Sequence, residues 1–141
     1  MNNDKLVLVT LESLAPLIAA AFVHRQILSI SIGSDFHYLL SRAFGKVEKK
    51  LPCEYRMDFR IQSHPAHKYS VTVHELIARI VSLGYANYGG TRFTHLYFSM
   101  SQEKAYYGLD CLDENPLNEF VLEFVDAIIA EDVVTNNIHF A

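Results

Sequence analysis

The chain has 141 residues, of which half are hydrophobic and a fifth are charged, and its net charge is −4. This composition is typical of a globular protein and lies far from disordered or collagen-like sequences. The length predicts one domain, spanning residues 1–141, that buries a hydrophobic core without needing disulfides or a metal.

A membrane or secreted location is disfavoured. The longest apolar run, Leu14 to Val23, is too short for a membrane-spanning helix of about 20 residues and contains Pro16. Acidic residues before this run are atypical of a signal peptide. Two cysteines, Cys53 and Cys111, are fewer than a small secreted protein usually contains. The sequence therefore predicts a cytoplasmic protein.

Strand-like and helix-like segments alternate in the first part of the chain. Period-two alternation and β-branched residues indicate strands, whereas apolar residues three and four apart indicate helices. The elements predicted here are strand 5–10, helix 14–25, strand 28–32 and helix 36–44. Ser13 is the expected cap of the first helix, with Pro16 in the first turn, where a missing N–H is tolerated.

The clearest strand signal lies between residues 54 and 61. Its apolar positions are Tyr55, Met57, Phe59 and Ile61, and each alternates with a charged residue. Because side chains alternate between the two faces of a strand, Arg56 and Arg60 are expected on the face away from the core.

The second half is predicted to run helix, strand, strand, helix. Its predicted elements are helix 72–83, a turn at 87–90, hairpin strands 92–100 and 105–112, and helix 117–132. Asn115 and Pro116 are typical of a helix start. Together the elements predict an α+β fold with a mixed or antiparallel sheet, a C-terminal β-hairpin followed by a helix, and about four helices packed on the sheet.

Charge is concentrated near the C-terminus. Between residues 110 and 132 lie eight acidic residues and no Lys or Arg. On the last predicted helix, Glu119, Glu123 and Asp126 stand three or four residues apart and form what we call the acidic stripe. Like charges at this spacing destabilise a helix slightly. Three interpretations follow: bases of the same chain cover the stripe, the stripe is solvated, or it docks a basic partner. Arg56 and Arg60 are the candidate internal bases.

The interpretation that implies a function is a surface that docks a basic protein, since complementary charge speeds association and sets specificity. The predicted partner-binding residues are Asp110, Asp113, Glu114, Glu119, Glu123, Asp126, Tyr97 and Tyr106. This predicts a protein without catalytic activity that neutralises or escorts its partner, as immunity proteins, antitoxins and phage inhibitors do. The comparison with those classes is an analogy from size and charge.

Two other functions stay open. One is an enzyme or small-ligand-binding protein with a pocket that uses some of His64, His67, His95 and Cys111. The other is a secretion chaperone or dimeric adaptor, a homodimer whose hydrophobic hairpin face forms the interface.

Metal and nucleic-acid sites are weakly indicated. His64 and His67 form a His-x-x-His pair, but no Cys-x-x-Cys or His-Glu-x-x-His motif accompanies it, so we predict no metal and no cofactor. No nucleophile motif predicts a catalytic residue. The acidic net charge disfavours nucleic acid as a partner.

Overall fold

A computed structural model describes residues 7–108 and 116–141, which form five helices and two β-sheets. The helices are α1 (Leu11–His24), α2 (Ser34–Val47), α3 (Val71–Ser82), α4 (Gln102–Gly108) and α5 (Pro116–Glu131). The strands are β1 (Val7–Val9), β2 (Ile27–Ser31), β3 (Tyr55–Met57), β4 (Ala86–Gly89), β5 (His95–Phe98) and β6 (Ile138–Phe140). The predicted α+β class is confirmed.

The larger sheet has four antiparallel strands in the order β4-β5-β2-β6. Ile30 on β2 lies opposite Leu96 of β5 on one side and Ile138 of β6 on the other. All three side chains are buried, so this face of the sheet packs against the hydrophobic core. A bulge between Ile27 and Ser29 shifts the register with β6.

The other face of this sheet carries polar and aromatic side chains, and we call it the polar face. The register assigns to it Ser29, Ser31, Asn87, His95, Tyr97 and His139. Tyr97 is 42% exposed there. An antiparallel sheet with one buried and one solvated face is common, and the alternation of burial along β5 follows from it.

The smaller sheet pairs β1 with β3 in parallel. It confirms strands near 5–10 and 54–61, although each is only three residues long. Burial nevertheless alternates from 55 to 61, with Arg56 and Arg60 exposed as predicted. Pairing stops after Met57 because β1, its partner, ends at Val9, whose carbonyl accepts a last hydrogen bond from Asp58 N (3.2 Å).

Helix α1 occupies the middle of the core and contacts α3, α4 and α5. Its cap differs from the prediction: the Thr10 hydroxyl accepts from Ser13 N, and Ser13 returns a bond to Thr10 in a capping box. Pro16 accordingly lies beyond the first turn. In the described residues, no helix is long and apolar enough to cross a membrane.

The predicted C-terminal hairpin is wrong in two respects. Residues 92–100 do contain a strand, β5, but its hairpin partner is β4, at the position of the predicted turn 87–90. The predicted second arm at 105–112 is instead helical where it is described, from Gln102 to Gly108. Ser101 begins this helix, since its hydroxyl accepts from Lys104 N (3.1 Å) and its carbonyl accepts from Ala105 N (3.0 Å).

The last helix does not end the fold. The chain turns back after α5, and β6 adds an edge strand to the larger sheet beside β2. Asp132 stabilises the turn between α5 and β6. Its carboxylate accepts hydrogen bonds from Thr135 Oγ1 at 2.9 Å and from Asn137 N and Ile138 N, each at 2.8 Å. The prediction that a helix follows the hairpin therefore omitted a strand.

Candidate functional site

A cleft of about 510 Å³ lies where β2 ends and α2 begins. We call it the His37 cleft. Its walls come from α2, α3, β4 and the residues around them, and its lining is Ile32, Gly33, Ser34, His37, Tyr69, His74, Ile77, Tyr88 and Thr94. The cleft sits at one end of the larger sheet because the Gly33 turn leads the chain from β2 directly into α2.

His37 is the most buried polar side chain of the cleft, with 5% exposure. Its Nδ1 lies 3.0 Å from the N–H donor of Ser70 and 3.1 Å from the carbonyl oxygen of the same residue. A neutral ring therefore finds a partner for Nδ1 whether or not that nitrogen carries the proton. Nε2 then offers the complementary lone pair or N–H for a ligand.

Burial sets the charge state of this ring. Desolvation lowers the pKa of His37 below its ordinary value near 6.5, although the hydrogen bond to the Ser70 backbone acts in the opposite direction. Nearby His74 lowers it further when charged. Because a buried charge without a counterion is costly, His37 is neutral at pH 7.

Aromatic rings form the side of the cleft. The Tyr69 ring stacks on His37, with centroids 4.8 Å apart and planes 23° apart. The His74 ring is also close to Tyr69, with centroids 6.1 Å apart. Tyr88, 37% exposed, is the aromatic residue that β4 contributes. A flat ligand could therefore stack against the cleft wall.

The described lining residues of the cleft include no Lys, Arg, Asp or Glu, so they carry no formal charge. The N-terminus of α2 brings a partial positive charge instead, and Gly33 has no side chain to cap it. This combination suits a small, mainly apolar ligand that carries one hydrogen-bonding group.

A larger hollow of about 720 Å³ lies beside β1 and β3. Its lining includes Glu48, Arg56, Asp58 and Arg60, and Arg60 pairs with Glu48 at 3.3 Å. Its lining contains no histidine within the described part of the chain, and Cys53, an exposed free cysteine, contributes its only thiol there. We favour the smaller cleft because its polar groups converge on an apolar, aromatic enclosure.

Bases of the same chain partly cover the acidic stripe. Asp126 binds Arg25 through two hydrogen bonds of 2.8 and 3.1 Å, and Glu123 lies 3.1 Å from Lys50. Glu119 is exposed and has no ion pair among the described residues. Asp110, Asp113, Glu114 and Cys111 lie outside the described residues.

The internal bases differ from those the sequence suggested. Neither Arg56 nor Arg60 pairs with the stripe in the portion of the chain that is described. At the C-terminal end of α5, Glu131 is held by Arg42 at 3.0 Å and by Lys46. Hydrogen bonds from these two bases lower the pKa of Glu131. Bases on α2 and directly after it therefore offset part of the negative charge on α5.

The predicted aromatic docking residues occupy separate elements. Tyr97 lies on the polar face, 6.1 Å from the ring of His95, whereas Tyr106 is 57% exposed on α4. His64 and His67 stack on each other in the loop before α3, with centroids 3.8 Å apart. None of the histidines proposed from the sequence for a pocket lines the His37 cleft.

The sequence did contain a signal for His37. His37 lies on the same side of α2 as Leu40 and Phe44, so a histidine occupies the apolar stripe of an amphipathic helix. Such a position indicates a buried, hydrogen-bonded imidazole.

No family model, curated protein or solved structure matches the chain. Its function is therefore argued from the site alone.

Proposed function

We propose that the chain binds a small, planar and largely apolar ligand in the His37 cleft. The observation that carries this proposal is a buried imidazole whose Nδ1 is satisfied by Ser70, while Nε2 has no hydrogen-bond partner among the described residues, in an aromatic cleft whose described lining is uncharged. The cleft volume falls within the range of about 300–1,000 Å³ that ligand pockets occupy. Ligand binding would leave the acidic stripe free for other contacts.

Tyr88 and Tyr38 provide a matched pair of variants, since both are 37% exposed but only Tyr88 lines the cleft. Titration with Nile red, a neutral planar fluorophore, is expected to show saturable fluorescence enhancement. Tyr88→Ala should weaken binding roughly two- to tenfold, because a lost aromatic contact costs about 0.5–1.5 kcal/mol. Tyr38→Ala should bind as the wild type does. Equal effects of the two substitutions would contradict the cleft as the binding site.

A second candidate is the docking of a basic protein, as the sequence suggested. It is supported by Glu119, which is exposed and lacks an internal counterion among the described residues, next in the chain to the acidic segment 110–114. Glu123 and Asp126 contribute less to this candidate because Lys50 and Arg25 already offset their charge.

Charge reversal tests the docking surface. Glu119→Lys should slow association with a captured basic partner about tenfold or more, an effect that shrinks in high salt. Glu75→Lys on α3 makes the same charge change at another exposed position and serves as the control. Surface plasmon resonance with all three proteins gives the rates; identical rates for both variants would exclude a docking role for Glu119.

A further inference from the structure

Three strands bring a serine and two histidines together on the polar face. Ser31 of β2 lies between β5 and β6, which carry His95 and His139. The Ser31 hydroxyl oxygen is 3.2 Å from His95 Nε2 and 3.5 Å from His139 Nε2. The two imidazole centroids are 6.3 Å apart. Both Nε2 atoms thus point toward one place above β2.

Hydrogen bonding fixes the tautomer of His95. The Thr94 hydroxyl donates its hydrogen to the Thr91 carbonyl at 3.0 Å, so it accepts from His95 Nδ1 at 3.1 Å. The ring proton is then on Nδ1, and Nε2 presents its lone pair toward Ser31. Metal-ligating histidines are commonly oriented through their second nitrogen, usually by a carboxylate, a backbone carbonyl or water, and here the Thr94 hydroxyl takes that position.

Glycine allows His95 to be held closely. A Cβ atom on Gly90 would lie 2.8 Å from His95 Nδ1, and Gly90 has φ +76°, a conformation that favours glycine. The chain can therefore pass directly beside the imidazole and fix its position.

The Ser31 hydroxyl can donate to only one of the two rings. It has one hydrogen to donate, and the 3.5 Å separation from His139 is too long for a strong hydrogen bond. A cation between the two Nε2 atoms would use both lone pairs at once. His95 is oriented by a hydroxyl and lacks the carboxylate partner that orients the catalytic base of a Ser-His-Asp triad among the described residues.

We propose that His95 and His139, with Ser31 beside them, bind a divalent cation that prefers imidazole ligands, with Zn²⁺ as the representative ion. The described residues hold no group of three or more His, Cys, Asp or Glu side chains suited to a metal, so water would complete the coordination. A site with two protein nitrogens and open positions binds exchangeably, unlike the closed sites of structural zinc. The proposal is independent of the His37 cleft.

The His-x-x-His pair singled out by the sequence is less suited to this role. Nδ1 of His64 accepts from Ala66 N at 3.0 Å, and Nδ1 of His67 accepts from Tyr69 N at 3.3 Å. Both rings therefore carry their proton on Nε2, where a metal would need the lone pair. The rings also lie face to face with planes 9° apart, so their in-plane nitrogens do not converge.

Isothermal titration of the full chain with ZnCl₂ tests the site. We expect wild-type protein to bind one Zn²⁺, and His95→Gln and His139→Gln each to weaken binding at least about tenfold. The double variant His64→Gln/His67→Gln should match the wild type. Thr94→Val should weaken binding roughly 10- to 100-fold while both ligands stay in place, which is the usual cost of losing a group that orients a metal ligand. MgCl₂, which prefers oxygen ligands, should give no binding.

Imidazole proton NMR locates the ion directly. Resonances of His95 and His139 should shift on Zn²⁺ addition, while those of His64 and His67 should not. The melting temperatures of the metal-free variants show whether each is folded. The proposal is overturned if wild-type protein shows no Zn²⁺ binding at millimolar concentration, or if His139→Gln, folded, binds as tightly as the wild type.

Discussion

Replacing Asp132 with alanine is expected to lower the free energy of unfolding by roughly 2–5 kcal/mol. The Asp132 side chain is only 6% exposed, and it accepts from the backbone N–H groups of Asn137 and Ile138. Each buried donor that loses its acceptor costs about 1–3 kcal/mol. The loss falls on the turn that places β6, so Zn²⁺ binding through His139 should weaken as well.

Denaturant unfolding followed by circular dichroism measures this change. Asp58→Ala provides the control because Asp58 is an exposed aspartate outside that turn, and its effect should stay within about 0.5 kcal/mol. Asp132→Asn keeps an acceptor oxygen, so its loss of unfolding free energy should lie between those of Asp132→Ala and Asp58→Ala. If Asp132→Ala proves as mild as Asp58→Ala, the carboxylate does not hold the α5–β6 turn.

Truncating Phe124 to alanine should destabilise the fold by about 3–5 kcal/mol, the usual cost of a large cavity in a core. Phe124 has 0% exposure and meets Phe44 edge to face, with centroids 5.8 Å apart. This contact joins α5 to α2, so the cavity would open between the two helices that the Glu131 ion pairs also connect.

The midpoint of urea unfolding should fall while its slope is retained, because the surface exposed on unfolding changes little. Val133→Ala removes apolar atoms at a position that is 81% exposed and should leave the midpoint nearly unchanged. A small effect of Phe124→Ala would mean that α2 and α5 are not packed through this ring.

Most helices could be predicted from the sequence, whereas strand pairing could not. The apolar stripes of α1, α2, α3 and α5 contain the information, because a helix must place one face on the core. Period-two alternation likewise indicated β2 and β3. Segments of three or four residues such as β6 carry too little pattern, and only their hydrogen-bonded neighbours make them strands.

The second arm of the predicted hairpin shows the same difficulty. An apolar segment around Ala105 fits a strand or a helix equally well, and periodicity over so few residues does not separate them. Burial of Ala105 on the core and the cap at Ser101 select the helix.

The candidate sites were even less visible in the sequence. His37 and His74 are 37 residues apart, and Ser31 and His139 are more than a hundred apart. Proximity along the chain singled out His64 and His67 instead, which the fold stacks in a loop outside the cleft.

By itself the sequence determined the α+β class, the helices that build the core and the concentration of acidic charge at its C-terminal end. Each follows from local periodicity or composition, which the printed residues contain. The tertiary structure alone decided which bases neutralise the acidic stripe, which histidines share a cleft, and that β5 and β6 both flank β2. Those outcomes depend on the pairing of elements distant in sequence, where burial and hydrogen bonding, not local preference, select the partner.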